Sequence, residues 1–294
     1  MSKILLSICI PTYNRCTVLD DTLKTLFSNP EFDSNRIEVI VSDNSSTDHT
    51  QEIVAKYPLV RYYCNAENVK DRNFALVLGY ATGRYIKLFN DTLSFKPNAL
   101  GKLLDRIEKQ MDSNVNLFFY SNMFLNCDCQ KTFDSVESYF KEVSYYSTAI
   151  ANFGVWRDDF LKIKDKERYA VLQFTQVDWS YKIVKNGKKS VIYFDDLFEV
   201  VTPNKKGGYN IFDTFINNYL FIVKQEKLAM FNYELEKFRL LWHFVYPWLI
   251  TLTVANKSNY SFDTKGVFNI ILKKYWYEPY FYVMLILWFK KSVK

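Results

Sequence analysis

The chain has 294 residues, enough for one large domain or a domain with an appendage, and its 24% charged and 18% aromatic content describes a folded chain rather than a disordered one. The formal net charge is only +6, and seven lysines against Asp263 and Glu278 put +5 of it into residues 255–294. No basic patch accompanies the rest, so nucleic acid is excluded as a partner and an anionic membrane surface suits the tail. The five cysteines, Cys9, Cys16, Cys64, Cys127 and Cys129, have neither a disulfide framework nor a zinc spacing, so reduced thiols are expected. A strand pattern begins almost at once, with no signal peptide ahead of it.

In chain order, residues 5–10 form an apolar run closed by Pro11, which predicts a buried strand. Leu19, Leu23, Leu26 and Phe27 recur at helical spacing up to Asn29 and Pro30. Residues 37–41 read as a second buried strand, 53–57 as a helix and 60–63 as a third strand. Phe74, Leu76, Val77 and Tyr80 mark another helix ending at Gly83, and 85–89 a fourth strand. Leu100, Leu103, Leu104, Ile107 and Met111 then give an amphipathic helix, and residues 117–120 a strand. Residues 131–166 are irregular. A helix over 173–184 and an extended segment over 190–194 follow, and helical periodicity resumes over 211–230.

Strands alternating with helices across short connections imply a mainly parallel sheet covered on both faces, an α/β fold. Ligands of such sheets bind beyond the carboxyl ends of the strands, and there the polar clusters fall: residues 12–15, 43–48 and 90–92. No glycine-rich dinucleotide fingerprint or Walker A pattern is present. Asp91 stands where a carboxylate can meet a divalent ion and a pyrophosphate, although a turn or cap aspartate fits the same place. Asp43 can accept hydrogen bonds from a nucleobase or ribose, or cap the next helix, as Asp48 or Ser46 can.

The segments SICIPTYNR (residues 7–15) and EVIVSDNSSTD (38–48), with Asn68, Arg72, Asn73, ATGRYI (81–86), Asn90 and Asp91, together resemble the N-terminal half of the family 2 glycosyltransferases of the GT-A fold. The resemblance implies a GT-A-like sheet with a helical, aromatic-rich C-terminal region. It divides the chain into a catalytic domain over 1–212, with a nucleotide-sugar half (1–97) and an acceptor half (98–212), and a helical region over 213–294. It places Pro11, Thr12, Tyr13, Arg15, Asp43, Asn44, Arg72, Asn90 and Asp91 around a UDP-, CDP- or dTDP-linked sugar, with Asp91 holding Mg²⁺ or Mn²⁺. The family pattern has two or three acidic residues there, whereas Asn90 and Thr92 flank a single one.

Gln176-Val177-Asp178-Trp179 resembles the segment where related enzymes carry the catalytic base, so Asp178 is the expected base of an inverting hexosyl- or deoxyhexosyltransferase, and Trp179 a platform for the acceptor sugar. An N-terminal helix carboxylate favoured by the macrodipole is the alternative for Asp178, and Asp158, Asp159, Asp195 and Asp196 compete as bases. Lys205 and Lys206, in a glycine-containing loop, can neutralise a leaving diphosphate as part of a lid, or simply be solvated. That loop resembles transferases of bacterial O-antigen and capsule synthesis, of the abequosyltransferase type. The acceptor is then a glycan or lipid-linked oligosaccharide, and the protein cytoplasmic and peripheral at the inner face of the membrane. The runs over 240–254 and 280–289, too short to span a bilayer, suit an interfacial position or a helical cover. A non-catalytic nucleotide- or glycan-binding homologue, favoured by the thinned acidic motif, is the alternative.

Overall fold

The computed structural model describes residues 3–121, 127–201, 207–255 and 261–292. These form two compact units, one from the described residues within 1–171 and 175–203, the other from 172–174 with those within 204–294.

The first unit is built on a five-stranded sheet of order β3-β2-β1-β4-β8. β1 (Leu6–Thr12), β2 (Ile37–Asp43), β3 (Val60–Cys64) and β4 (Tyr85–Leu88) run parallel. The connecting helices are α1 (Cys16–Phe27), α2 (Thr50–Val54) and α3 (Arg72–Gly79), so each crossover is a strand–helix–strand unit. After β5 (Leu93–Phe95) comes α4 (Ala99–Gln110), whose Leu100, Leu103, Leu104 and Ile107 are all buried. β6 (Asn116–Phe119) and β7 (Cys129–Phe133) lead through α5 (Val136–Val143) to β8 (Gly154–Trp156), the antiparallel edge beside β4. α6 (Arg157–Leu161), α7 (Thr175–Val184), β9 (Ser190–Phe194) and β10 (Phe198–Val200) complete it. β9 pairs with β6 and β7 in a second sheet, and β10 with β5.

Period-2 alternation sorts the parallel strands' side chains onto two cores. Leu6, Ile8 and Ile10 of β1 pack with α1 and α4 on one face; Cys9, Ile40, Ile86 and Leu88 pack with α3 and α7 on the other. The α/β reading with a mainly parallel sheet stands, but α2 spans Thr50–Val54 rather than 53–57, and the stretch 131–166 read as irregular holds α5, β8 and α6. β5, β7, β8 and β10 lay outside that reading because three to five residues carry too little alternation to register. Cys127 and Cys129, expected as free thiols, are joined in a disulfide, because Asp128 adopts a φ of +48° that turns the chain back and sets the two Cα atoms 5.2 Å apart.

In the second unit α8 (Ile211–Asp213) passes through a π-helical turn, Thr214–Tyr219, into α9 (Leu220–Gln225). α10 (Met230–Leu240) passes likewise through Leu241–Val245 into α11 (Tyr246–Thr253). Pro247 lies in the first turn of α11, directly after the wider turn, where its missing N–H is tolerated. α12 (Val267–Tyr275) and α13 (Pro279–Ser292) follow. Among the described residues no helix is long and apolar enough to cross a membrane.

The amino-terminal edge of the parallel sheet is tied by Glu38. Its Oε1 accepts from Ser7 Oγ (2.6 Å), Thr82 N (2.6 Å), Thr82 Oγ1 (2.9 Å) and Gly83 N (3.1 Å), and its Oε2 is paired with Arg61. Gly83 must approach β1 closely, since a Cβ there would lie 2.9 Å from Ser7 N. Burial alone would raise the Glu38 carboxyl, but donors from Ser7, Thr82 and Arg61 overcome it and hold the group below its ordinary value. A depressed carboxylate contributes stability above its unfolded-state pKa that is lost as pH falls through the native one. Glu38→Ala is therefore expected to lower stability at pH 7 by on the order of 2 kcal/mol, by urea unfolding. Glu38→Gln is expected to flatten the acid limb of the stability–pH curve below about pH 4.5.

Candidate functional site

β1 ends at Thr12 and β2 at Asp43, side by side in register, and the chain beyond β4 stays next to β1 through Phe89 N donating to Cys9 O (2.8 Å). The strand order reverses between β1 and β4, so these carboxyl ends form a topological switch point. The loops after β1 and β2 clasp each other. Asn14 N donates to Ser46 Oγ (2.8 Å), Asn14 Oδ1 accepts from Thr47 N (2.7 Å), and Cys16 N, at the start of α1, donates to Asp48 Oδ2 (2.9 Å). Asn14 takes the left-handed φ of +50° that this clasp needs.

Asp91 is 3% exposed and held from three directions. Thr12 Oγ1 donates to its Oδ2 (3.0 Å), Arg15 Nη1 to its Oδ1 (2.8 Å), and Thr22 Oγ1 of α1 to its backbone carbonyl (2.9 Å). On either side, Asn90 Oδ1 and Thr92 Oγ1 are buried without a hydrogen-bond partner among the described residues. Buried orphans of this kind call for an explanation, and a bound polar ligand is one. The donor set does not fit the divalent ion that the resemblance implies. Asp91 is flanked by neutral residues, its oxygens are engaged by Thr12 and by a guanidinium, and no group of three or more His, Cys, Asp or Glu converges among the described residues.

Asp43 is buried, with Oδ1 accepting from Ser46 N (2.9 Å) and Oδ2 from Tyr62 OH (2.6 Å). A carboxylate has about four acceptor positions, so capacity is left for a base. Asn44 differs. Its amide donates to Asn68 Oδ1 (2.8 Å) and Lys70 O (3.2 Å), and its Oδ1 accepts from Asn65 Nδ2 (3.1 Å) and Val69 N (2.9 Å). All four positions of an asparagine side chain are then filled, which corrects its expected nucleotide contact: Asn44 organises the loop after β3. Pro11 is half-buried, Tyr13 is 43% exposed, and Arg72, at the first position of α3, is exposed and paired with Glu167 (3.1 Å).

Asp178 lies in the first turn of α7, almost fully buried, with Oδ1 paired to Arg168 and Oδ2 to Lys182 (2.8 Å). Ile183 O, near the other end of α7, is reached by Asn116 Nδ2 (3.3 Å) at the start of β6, so Asp178 lies toward the carboxyl edge of that strand. Asp158 and Asp159 begin α6 beside Thr82, Gly83 and Arg84, at the amino-terminal edge of β4, away from Asp91. Asp195 is fully buried beside Lys102 (3.0 Å), and Asp196 is paired with Lys96. Trp179 is a correction. It has no exposed surface, its ring packs edge-on against Phe153 and Phe160, and Nε1 donates to Lys166 O (2.9 Å), so it offers no face to a sugar. Lys205 and Lys206 lie outside the described residues.

Sequence reasoning passed over Tyr62, although a tyrosine on the strand neighbouring β2 is a plausible partner for Asp43. It also missed Asp71, just before α3, whose carboxyl burial pushes up to about 6. Periodicity carries no signal for either.

Residues 7–198 match the family model described as Glycosyl transferase family 2. Among curated proteins, the chain is 30% identical over 131 residues to abequosyltransferase RfbV of Salmonella typhimurium, covering 42% of this chain and 38% of that one. It is 27% identical over 135 residues to the GalNAc(5)-diNAcBac-PP-undecaprenol beta-1,3-glucosyltransferase of Campylobacter jejuni, covering 43% and 39%. The chain thus spans about two fifths of the length of the curated relatives it matches. Among solved structures, S. aureus TarS 1-349 superposes with a TM-score of 0.61 at 16% identity, over 85% of this chain and 75% of that one, and has been crystallised with UDP and with UDP-GlcNAc. The mannosyltransferase PcManGT of Pyrobaculum calidifontis, in complex with GDP-Man and Mn²⁺, superposes at 0.55 with 14% identity, over 98% and 86%. These likenesses carry the GT-A fold.

A buried Trp179 makes a distinguishing prediction. Trp179→Ala is expected to cost about 3–5 kcal/mol in denaturant unfolding. Trp179→Leu, if folded, should leave the acceptor KM unchanged, which loss of a stacking platform would not do.

Proposed function

The chain belongs to glycosyl transferase family 2, and from that premise we propose that it transfers a hexose or deoxyhexose from a pyrimidine nucleotide-sugar to a hydroxyl of a lipid-linked surface glycan, with inversion. The observation that carries the reading is the convergence of Thr12, Arg15, Asp43 and Asp91 at the switch point of the parallel sheet, beside orphaned polar atoms on Asn90 and Thr92. In a catalytic domain taken as 1–212, Asp43 accepts from the imide N–H of uracil or thymine or the amino group of cytosine, with Pro11 and Tyr13 beside the base. Arg72 serves the diphosphate.

In the transfer, the acceptor oxygen bonds to the anomeric carbon while the bond from that carbon to the phosphate oxygen breaks, its electron pair leaving on the diphosphate. The acceptor's proton passes to Asp178. Each Asp178 oxygen is paired with a cation, Oδ1 with Arg168 and Oδ2 with Lys182, and Arg168, 40% exposed, is the partner an acceptor hydroxyl displaces. The resemblance and a Mn²⁺-bound neighbour point to a metal at Asp91, but the donor set described above does not fit one, and no step is routed through it.

The helical region, taken as 213–294, supports a place at the inner membrane surface. Trp276, Tyr277, Ile286 and Phe289 are each more than half exposed, near Lys273, Lys274, Lys290 and Lys291. α12 and α13 line an apolar groove of about 780 Å³ with Phe268, Leu285, Ile286, Trp288 and Phe289. Aromatic side chains beside lysines match the headgroup layer of an anionic bilayer. A second reading, a non-catalytic nucleotide or glycan binder, is favoured by the single, already paired Asp91.

Calorimetry with UDP, CDP and dTDP tests the donor, and turnover of the corresponding nucleotide-sugars separates enzyme from binder. Asp178→Asn is expected to lower kcat by about 10²- to 10⁴-fold with nucleotide affinity unchanged; retention of turnover would remove Asp178 as the base. Co-sedimentation with phosphatidylglycerol vesicles should fall at least about tenfold in Ile286→Glu/Phe289→Glu, and with rising salt, while UDP affinity holds.

A further inference from the structure

We infer that Arg15 is the fixed cation of the donor site, meeting the diphosphate directly and making transfer independent of a divalent metal, with Asp91 as its positioning residue rather than a metal ligand. This rests on the transferase reading above and concerns how that site handles charge.

Three observations converge. Arg15 Nη1 lies 2.8 Å from Asp91 Oδ1, on the carboxylate the family resemblance assigns to the ion, so a metal and the guanidinium would compete for one oxygen. Asp91 is itself immobilised by Thr12 and Thr22, so the carboxylate that positions Arg15 is fixed from within the sheet and α1. The Arg15 side chain is 46% exposed while Asp91 is 3% exposed, so the carboxylate faces the protein and the guanidinium faces out. A guanidinium carries five N–H donors in a planar fork, and one contact to Asp91 leaves the others for phosphate oxygens.

Asn90 and Thr92 extend the same surface. The buried Thr92 hydroxyl lacks a partner among the described residues and can donate to a phosphate oxygen, whereas the orphaned atom of Asn90 is Oδ1, an acceptor that suits a sugar hydroxyl rather than a phosphate. Where the family pattern puts acidic residues beside the central aspartate, neutral ones here reduce the negative charge that would draw a divalent ion and repel a diphosphate. As the anomeric C–O bond breaks, charge accumulates on the leaving diphosphate, and a pre-placed cation stabilises it without proton movement.

The test is calorimetry of UDP, CDP and dTDP on the full chain, in EDTA and in excess MnCl₂, with Arg15→Ala and Arg15→Lys alongside and circular dichroism as the folding control. The expected result is wild-type affinity for the preferred diphosphate within about threefold in the two conditions, a loss of at least about tenfold in Arg15→Ala, and an intermediate loss in Arg15→Lys. Mn²⁺ titrated alone, followed by its electron paramagnetic resonance signal, should show no binding to the wild type. Nucleotide binding that needs Mn²⁺, or a folded Arg15→Ala that binds as the wild type does, would overturn the assignment and leave the transferase reading standing. Failure of all three diphosphates to bind the wild type in either condition would overturn both.

Discussion

Three separate stretches of chain meet on one carboxylate. Thr12 from the end of β1, Arg15 from the turn beyond it and Thr22 from α1 all reach Asp91, which follows β4. Because β1 and β4 are neighbours in the sheet and α1 covers one face, Asp91 reports on the registry of all three. A buried carboxylate without partners would be strongly disfavoured, so folding this edge correctly and pairing Asp91 are one event. The clasp between the loops after β1 and β2 belongs to the same arrangement, since Asp48 holds the first amide of α1 and Asn14 holds Thr47.

The two edges of the sheet divide their work. At the amino-terminal edge, Glu38 ties β1, β2, β3 and the turn before β4, and its interactions are satisfied within the protein. At the carboxyl edge, Asn90 Oδ1 and Thr92 Oγ1 have no partner among the described residues, and the Arg15 side chain is half-exposed. A fold that closes its polar groups at one edge and leaves some open at the other has a direction, and ligand chemistry belongs to the open side.

The parallel strands were legible because each combines an apolar run with a polar cluster at its carboxyl end, and the helices because Leu19, Leu23 and Leu26, or Leu100, Leu103, Leu104 and Ile107, keep the 3.6-residue period. The positions of Thr12, Asp43 and Asp91 followed from that order. What was illegible depends on partners distant in sequence. Nothing near Asn44 shows that residues 65–70 consume its amide, and nothing near Trp179 shows that Phe153 and Phe160 enclose it. An aromatic residue beside a candidate base reads as a sugar platform until its burial is known. Arg15 and Asp91 lie 76 residues apart, so their pairing is a property of the sheet and not of either motif.

The saturation of Asn44 bears on the thermodynamics of ligand capture. A side chain with every donor and acceptor in use fixes Asn65, Asn68, Val69 and Lys70 before any nucleotide arrives. The conformational entropy of ordering that segment is then charged to folding rather than to association. At such a preordered wall, the heat of binding carries little contribution from loop closure. Loosening Asn44 would move that entropic cost back into the binding step and weaken a ligand it never touches.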